Sequence, residues 1–426
     1  MGDGLEQLRA RLGPEMVRLH APLALEGFEV AATVEPPDEA ALAAALRELA
    51  GLGLATLVLG GGSRVTLGRP PERLDVVLRT ARLAGIPELD AEEGVARVRA
   101  GTPLVELAGA ARREGLEVPL EGPEPGSTVG GALAAGGTGP RLLSTGPPRR
   151  WVLGITAVLG DGLVARCGAR VVKNVTGYDL ARLYQGSLGT LAVVAEAWIR
   201  LRALPELRIG LRGLARDVEG ALSLAALLAR RPSARVAAVC AGGSGPPELL
   251  AELAGDAVVV EADRRWLEEQ LPGLAPDPEV VQACWLEAHG PGPGEGAGTG
   301  REPAGAPGGE PAPLRLRGVV RTSRVGELVR ALLARGARLR AHPGTGVIDA
   351  ALRVPEEAAA RAAVGELRRL ARQAGGSLRL ESGPADLRRS LDVLGVPAEV
   401  LDLMRAVKRR FDPHRVLAPG RIAEGL

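Results

Sequence analysis

The feature that most constrains this chain of 426 residues is a glycine run placed directly after a short strand-like segment. The segment Ala55–Leu59 is largely apolar, and Gly60-Gly61-Gly62-Ser63 follows it without interruption. Glycines at the end of a strand let backbone N–H groups approach a phosphate closely and form an anion-binding nest. The run is not a Rossmann fingerprint, because Val65 stands where the third glycine is needed, nor a Walker A loop, because the nearest lysine is Lys173. Taken alone, a triple glycine is more often a tight turn than a phosphate site.

A second glycine-rich segment, residues 125–140, favours dinucleotide binding over two unrelated turns. It contains a short helix-like stretch, Val129–Ala135, with Thr128 at the N-cap position. The N-terminus of a helix attracts anions through its dipole and its N–H groups, so this loop is a second candidate for a diphosphate.

A third segment is more specific than either glycine loop. Residues 171–180 read VVKNVTGYDL and are followed by GSLGTLAVV at 186–194. A capped helix and a turn would account for most of this pattern. They leave Lys173 unexplained, although it is one of only two lysines in the chain.

Together these segments resemble the flavin domain of the vanillyl-alcohol-oxidase or PCMH-type flavoproteins. The resemblance is closest to D-2-hydroxyacid dehydrogenases and to glycolate oxidase FAD-binding subunits. It is strong over residues 33–204 and reappears at Phe411–Ile422 (FDPHRVLAPGRI), which is similar to the family's closing motif. The implied fold is α+β: a PCMH-type FAD-binding domain of two α+β subdomains, then an α+β cap domain with a C-terminal helical return.

The alternation of short strands and helices before residue 204 also indicates an α+β chain rather than repeated βαβ units. Local patterns predict one helix with Asp38 at its N-cap, a second with Thr102 at its N-cap and a hairpin around Gly160-Asp161-Gly162. They also predict helices at 217–230, 324–335, 356–374 and 397–410.

The domain organisation predicted from these patterns has five segments. A stretch rich in glycine and proline divides the cap domain in two, and we interpret it as a disordered insert because it cannot bury enough apolar surface to order itself. The segments are an N-terminal segment at 1–32, the FAD-binding domain at 33–204, the first half of the cap domain at 205–289, the insert at 290–313, and the second half of the cap domain with the C-terminal return at 314–426.

The resemblance implies FAD as the cofactor, with its diphosphate held by backbone N–H groups of the two glycine loops. No histidine lies between Thr33 and Leu204, so the histidyl–flavin link of some relatives is not available and the FAD is expected to be non-covalent. The predicted cofactor-binding residues are Gly60, Gly61, Gly62, Ser63, Gly126, Ser127, Thr128, Gly130, Gly131, Gly137, Lys173, Gly189, Thr190 and Val194.

The cap domain departs from the catalytic pattern of the family. Relatives carry H-x-G-D-G-N-L-H, whereas this chain keeps His342 and has Thr345 and Asp349 at the aspartate and second histidine. Relatives also carry E-H-G, which here reads Glu381-Ser382-Gly383. Oxidation of a 2-hydroxyacid needs a base for the hydroxyl proton. We therefore name His342 and Glu381 as the candidate catalytic residues and expect no resident metal, although His342, Asp349 and Glu381 could converge as a remnant site.

The predicted function is that of an FAD-binding subunit of a glycolate (2-hydroxyacid) oxidase complex. By resemblance, it would oxidise glycolate to glyoxylate together with a catalytic flavin subunit and an iron–sulfur subunit. Two alternatives stay open: a stand-alone FAD-dependent D-2-hydroxyacid dehydrogenase of the D-lactate type, and a flavin-less scaffold whose glycine loops merely turn.

Composition excludes other classes of function. The net charge is only +2 and eight aromatic residues are too few for a base-stacking surface, so nucleic-acid binding is excluded. Cys167, Cys240 and Cys284 are 73 and 44 residues apart, which argues against a zinc or iron–sulfur site and favours free thiols. Neither a signal peptide nor a transmembrane segment is evident, so we expect a cytoplasmic protein that could reach the inner face of the membrane only through its partners.

Overall fold

The computed structural model describes residues 2–123, 126–170, 179–289 and 313–426. Lys173 and most of the predicted insert lie outside the described residues. The described chain has the α+β architecture predicted from the sequence. None of the helices within these ranges is long and apolar enough to cross a membrane.

The first subdomain is a four-stranded sheet in the order β1-β2-β4-β3, in which β2, β4 and β3 are parallel. As the sequence predicts, Asp38 caps the helix of this subdomain by accepting a hydrogen bond from the N–H of Ala41 (2.8 Å). The boundary placed at residue 33 falls within β2, whose hydrogen-bonded neighbour β1 begins at Val17. The elements are α1 (Gly2–Leu12), β1 (Val17–Leu25), β2 (Phe28–Val34), α2 (Glu39–Gly51), β3 (Thr56–Leu59) and β4 (Val76–Arg79).

The second subdomain is an antiparallel sheet in the order β5-β6-β10-β8-β9. The hairpin predicted around Gly160-Asp161-Gly162 is present as β8 and β9. The elements are β5 (Glu88–Asp90), β6 (Val95–Arg99), α3 (Leu104–Arg113), β7 (Leu116–Glu117), α4 (Val129–Ala134), α5 (Leu142–Thr145), β8 (Val152–Leu159), β9 (Val164–Gly168), α6 (Leu180–Tyr184), β10 (Ala192–Arg200) and β11 (Arg202–Ala203).

One predicted helix cap is wrong. The pattern Thr102-Pro103 predicts Thr102 at the N-cap, but α3 begins at Leu104 after Pro103 and has no side-chain cap. The Thr102 hydroxyl instead donates to the carbonyl of Gly85 (3.0 Å) and accepts from its N–H (2.9 Å). The side chain therefore anchors a neighbouring turn, a long-range contact that the local pattern does not show.

The cap domain is built on an eight-stranded antiparallel sheet in the order β15-β12-β14-β13-β17-β18-β16-β19. Strands from both sides of the predicted insert meet where β13 pairs with β17. The helices predicted at 217–230, 324–335, 356–374 and 397–410 are present. The elements are β12 (Leu207–Leu214), α7 (Val218–Leu228), β13 (Ala234–Ala241), β14 (Glu248–Gly255), α8 (Ala257–Gln270), β15 (Ala275–Pro276), α9 (Val280–His289), β16 (Leu314–Val319), α10 (Val325–Leu333), β17 (Arg338–His342), β18 (Val347–Leu352), α11 (Glu357–Gln373), β19 (Ser377–Ser382), α12 (Ala385–Ser390) and α13 (Ala398–Phe411).

After α13 the chain returns to the first subdomain and lies beside β3. Thr56 donates its N–H to the carbonyl of Val416 (2.7 Å), and Ala418 donates to the carbonyl of Thr56 (2.8 Å). The buried ammonium group of Lys408 fixes this return by donating to Asp412 (2.6 Å) and to the carbonyls of Thr190 and Leu417 (2.7 Å each). One side chain thus joins α13, the segment before β10 and the C-terminal segment.

We expect Lys408→Met to destabilise the protein by about 3–5 kcal/mol, because it leaves the buried carboxylate of Asp412 without its cation. Urea unfolding measures this loss. Arg405→Ala is the control, since Arg405 forms an exposed ion pair with Asp402 on the same helix and its removal should change little. Equal stability of wild type and Lys408→Met would contradict the assigned role.

Candidate functional site

The site is a groove between the loop that follows β3 and the N-terminal half of α4. The glycine loop Gly60–Ser63 forms one wall, and Thr128 and Gly131 belong to the other. Past Ala135 and Leu188 the groove meets a cavity of about 440 Å³ that is bounded by the cap-domain sheet. Both glycine loops predicted from the sequence therefore contribute to a single groove that leads to the cap domain.

The first glycine loop needs glycine because it touches the second loop closely. A Cβ atom on Gly60 would lie 2.1 Å from the Thr128 hydroxyl, and one on Gly61 would lie 1.4 Å from the carbonyl oxygen of Gly126. Gly62 has a positive φ of 76°. Among the hydrogen bonds of the described residues, none gives the N–H groups of Gly60–Ser63 a protein acceptor. These donors are accordingly available to an anion in the groove.

The second loop does not present its backbone donors in the way the sequence predicted. The N–H of Val129 donates to the carbonyl of Thr102 (2.9 Å), and that of Gly130 donates to the carbonyl of Ala100 (2.8 Å). The N–H of Gly131 donates to the hydroxyl of Thr128, the N-cap residue (3.2 Å). Since these three donors are already used within the protein, the first loop is the better diphosphate donor.

Gly130 has a packing role in the structure. A Cβ atom at this position would lie 2.6 Å from the Cβ of Ala100 at the end of β6. Gly130 is therefore required where α4 crosses the sheet, and a substitution there would disturb packing before it reached a cofactor.

Other predicted residues support the two loops. Ser127 donates its hydroxyl to the carbonyl of Pro123 (2.6 Å) and lies 3.2 Å from the hydroxyl of Ser63, so it connects the loops directly. Gly126 has a φ of 102°, which suits glycine at this turn. Gly137 closes the end of α4 by donating its N–H to the carbonyl of Ala132 (2.7 Å).

The remaining predicted cofactor residues are not brought to the groove in the same way. Thr190 and Val194 are buried, and Val194 packs in the core of the second subdomain. Gly189 has a φ of 71°, and a Cβ atom added there would lie 3.6 Å from the Cβ of Val58. Its neighbour Leu188 lines the groove. Lys173 lies outside the described residues, so its role stays a prediction.

Arg421, from the C-terminal return, completes the groove and was missed by sequence reasoning. Its Nη1 donates to Glu26 (3.3 Å) and to the carbonyl of Arg69 (3.1 Å). Its Nε is buried and has no hydrogen-bond partner in the described parts of the chain. A buried guanidinium donor beside open backbone N–H groups fits an anionic cofactor such as a diphosphate.

A row of charged side chains crosses the cap-domain sheet where it borders the larger cavity. Cross-strand pairing places Asp349 opposite Arg317, and Arg317 opposite Arg379. Arg317 binds Asp349 through two nitrogens (2.6 and 2.9 Å) and donates to the hydroxyl of Thr138 in the FAD-binding domain (3.0 Å). Arg317 therefore neutralises Asp349 and also connects the two domains.

Glu381 is likewise held by arginine. Arg379 donates to it (2.5 Å), and Arg317 lies 4.0 Å away. Burial alone would raise the pKa of Glu381, but Arg379, Arg317 and Arg64 outweigh that effect and lower the pKa to about 2. Glu381 is a carboxylate at neutral pH and a very weak proton acceptor.

His342 ends β17 and is buried. Burial lowers the pKa of its imidazole to about 4, partly opposed by Asp349 and reinforced by Arg340 and Arg317. Its side chain is neutral at pH 7, and it binds a proton much more weakly than an ordinary histidine. No group of three or more His, Cys, Asp or Glu side chains within the described ranges could hold a metal ion.

Glu121 is a titratable group that the sequence did not single out. Burial raises the pKa of its carboxyl group to about 7, although Arg141 opposes this effect through its charge and its N–H group. Oε2 accepts the N–H of Arg141 (3.0 Å), whereas Oε1 is buried without a hydrogen-bond partner in the described chain. Arg141 in turn binds Glu252 of β14 through two nitrogens (2.6 Å each). No motif surrounds Glu121, so only the tertiary contacts reveal it.

The chain matches two protein families that together cover both sides of this site. Residues 30–168 match the FAD binding domain, and residues 340–422 match the C-terminal domain of FAD linked oxidases. The groove therefore lies in an FAD-binding domain, and FAD is its cofactor. The chain thus contains the two domains of FAD-linked oxidases that its sequence motifs indicated.

Two curated relatives illustrate the range of this similarity. The D-lactate dehydrogenase of Archaeoglobus fulgidus is 38% identical over 193 residues, which cover 45% of this chain and 42% of that protein. The glycolate oxidase subunit GlcE of Escherichia coli is 39% identical over 158 residues, which cover 37% of this chain and 45% of that protein. The matches thus span less than half the length of either relative.

Solved structures confirm the PCMH-type fold. The 4-ethylphenol oxidase of Gulosibacter chungangensis superposes with a TM-score of 0.69 at 14% identity and covers 99% of this chain and 97% of its own. p-Cresol methylhydroxylase gives the same TM-score and coverage at 15% identity. At this level of identity the likeness concerns the fold alone.

We expect Gly61→Ala to weaken FAD binding by ~10-fold or more, equivalent to about 1.4 kcal/mol. The added Cβ would collide with the Gly126 carbonyl and separate the two loops. Flavin absorbance per mole of protein measures the loss. Gly365→Ala is the control, because a Cβ there meets nothing within 4 Å. Full flavin occupancy in Gly61→Ala would argue against the groove as the cofactor site.

The raised pKa of Glu121 predicts a specific pH dependence of stability. Between the ordinary value of 4.5 and about 7, the folded chain holds a proton that the unfolded chain has released. The free energy of unfolding should therefore decrease as the pH rises through this window. Glu121→Gln should lose less stability than wild type over that window in thermal unfolding. Glu114→Gln, at an exposed position, should follow wild type; identical profiles for all three proteins would refute the assignment.

Proposed function

We propose that this chain is the FAD-binding subunit of a 2-hydroxyacid oxidase complex that converts glycolate to glyoxylate. A catalytic flavin subunit and an iron–sulfur subunit are its partners, and its non-covalent FAD has a structural or electron-relay role. Similarity to proteins named as glycolate oxidase subunits and as a D-lactate dehydrogenase supports the substrate class and the complex.

The charge pairing and low basicity of the residues on the substrate side are the observations that support this proposal most. Asp349 and Glu381 are neutralised by Arg317 and Arg379, and the pKa of His342 is lowered to about 4. Efficient general-base catalysis needs a pKa near the working pH. Neither His342 nor Glu381 meets that condition, and Asp349 is bound by Arg317, which favours a supporting subunit over an independent catalyst.

The groove nevertheless has the residues to hold FAD, which when bound accepts the two electrons released on oxidation of an alcohol. The open N–H groups of Gly60–Ser63 and the buried Nε of Arg421 would bind its diphosphate. Arg379 and Arg317 line the larger cavity, where their guanidinium groups can donate hydrogen bonds to the carboxylate of a hydroxyacid. Removal of the hydroxyl proton is the step that His342 and Glu381 support poorly, because both have low pKa values.

A stand-alone D-2-hydroxyacid dehydrogenase is the second candidate. The observation that favours it is Glu121, whose carboxyl group has a pKa of about 7, a value suited to a general base. Glu121 is coupled by charge to Arg64 of the groove and to Arg317 of the cavity. In that case the chain would supply a carboxylate base where its relatives use histidine.

Turnover separates the two candidates. We expect the purified FAD-loaded chain to oxidise glycolate or D-lactate more slowly than ~1 per second with a dye acceptor, below the ordinary enzyme range. Chain isolated from its native cells should carry the flavin and iron–sulfur partners and show faster turnover. Rapid turnover by the isolated chain would overturn the subunit proposal, as would recovery of a partner-free chain from those cells.

In the reconstituted complex, His342→Ala should retain its FAD and lose less than ~3-fold activity, because a neutral, weakly basic imidazole is not a working general base. His20→Ala is the matched control, since His20 is remote from the groove and bonds Thr33 at 2.9 Å. A loss beyond ~100-fold confined to His342→Ala would show that this subunit performs the proton transfer.

A further inference from the structure

Two of the three cysteines come together in the fold although 44 residues separate them in sequence. Cys240 lies on β13 and Cys284 on α9, and both belong to one buried cluster with Val236, Ala238, Leu250 and Val280. Neither cysteine forms a disulfide bond, so both are in the reduced state. Helix α9 therefore presents a thiol to the sheet face that carries the other one.

A buried arginine joins the two cysteines. Arg340 on β17 is the direct cross-strand partner of Cys240, so the two side chains are neighbours on one face of the sheet. The guanidinium also donates to the backbone carbonyls of Cys284 and, at 2.9 Å, Ala283. Arg340 is 1% exposed. Its charge is therefore placed at the junction of α9 and β13.

The acidic groups next to this junction are bound by other arginines. Asp349, the cross-strand neighbour of Arg340 on β18, is held by two bonds from Arg317. Glu248, the cross-strand neighbour of Cys240 on β14, accepts a hydrogen bond from Arg212 (2.9 Å). A guanidinium beside a thiol stabilises the thiolate, the reactive form of cysteine. Burial would lower the pKa of Arg340, but Cys284, Cys240 and, to a lesser extent, Asp349 outweigh it and raise that pKa.

Cys240 is also reachable by a small molecule. A cavity of about 210 Å³ opens at the end of β13 and is lined by Cys240, Gly243, Ser244, Glu248 and Arg338. Its volume exceeds that of several water molecules, so a reagent the size of hydrogen peroxide fits. Cys284 is 3% exposed, belongs to the same buried cluster and does not line this cavity.

We propose that Cys240 and Cys284 form a peroxide-sensitive thiol pair in which Cys240 is attacked first and Cys284 resolves it. The Cys240 thiolate forms an S–O bond as the O–O bond of the hydroperoxide breaks, and the leaving hydroxide takes a proton to become water. The Cys284 thiol then forms the S–S bond as the S–O bond breaks, and a second water leaves. Two thiols lose two electrons and one peroxide gains them. The disulfide ties α9 to β13.

Cys167 provides an internal control for reactivity. It is more exposed than the other two cysteines, but burial raises its pKa and its thiol donates to the carbonyl of Ile155 (3.4 Å). If exposure alone set reactivity, Cys167 would react first. The thiol-pair proposal predicts instead that Cys240 reacts first. Iodoacetamide labelling of the folded protein, followed by peptide mass spectrometry, gives the rate at each cysteine.

We expect Cys240 to be alkylated ~10-fold faster than Cys167, the effect of a stabilised thiolate. Hydrogen peroxide should produce a Cys240–Cys284 disulfide in the full-length flavin-loaded chain. In Cys284→Ser, peroxide should leave a dimedone-reactive sulfenic acid on Cys240. Arg340→Gln should slow labelling at Cys240 and leave Cys167 unchanged, provided that its thermal unfolding shows a folded protein.

Two results would overturn the proposal without depending on any variant. The first is faster labelling of Cys167 than of Cys240 in the wild-type protein. The second is peroxide treatment that yields no Cys240–Cys284 cross-link while Cys167 becomes oxidised. Because neither readout involves flavin turnover, the result is independent of the proposed enzymatic function.

Discussion

The groove depends on one buried carboxylate. Glu26 has no exposed surface and sits at the turn between β1 and β2, where it accepts two hydrogen bonds from Arg388 (2.7 and 3.1 Å) and one from Arg421 (3.3 Å). Arg388 also donates to the carbonyl of Gly68 (3.0 Å), and Arg421 bonds the carbonyl of Val65. Buried charges persist only when they are paired and hydrogen-bonded. This cluster therefore fixes the loop that continues from the glycine run to α12 and to the C-terminal return.

The contacts that join the two domains also determine what the site can do. Arg317 reaches Thr138 from the cap sheet, and Arg141 reaches Glu252 from the FAD-binding domain. Both arginines act on carboxyl groups near the cavity, since Arg317 neutralises Asp349 and Arg141 binds next to Glu121. Arginines connect the domains and neutralise Asp349 and Glu381. The low pKa of His342 comes first from its burial, and Arg340 and Arg317 only reinforce it. These states of the substrate-side residues are the observations behind the proposal of a supporting subunit.

Local patterns in the sequence predicted much of the fold. Asp38 caps α2, the β8–β9 hairpin forms around its glycine turn, and the amphipathic helices of the cap domain occur where periodicity placed them. Thr102 was mistaken for a helix cap because its actual partner, Gly85, is 17 residues away. The eight-stranded sheet was not predicted, since its central pairing of β13 with β17 joins segments on either side of the predicted insert.

The sequence by itself indicated the FAD-binding domain and the two loops of the groove. The loops are recognisable because close backbone approach leaves glycine as the only residue that fits at Gly60 and Gly61. Only the tertiary structure decided which loop has open donors, because the N–H of Gly130 is taken by Ala100, in a strand distant in sequence. The tertiary structure also decided the protonation states of His342 and Glu121 at neutral pH. Burial and neighbouring arginines set the pKa of each side chain, and local sequence spacing shows neither the burial nor the neighbours.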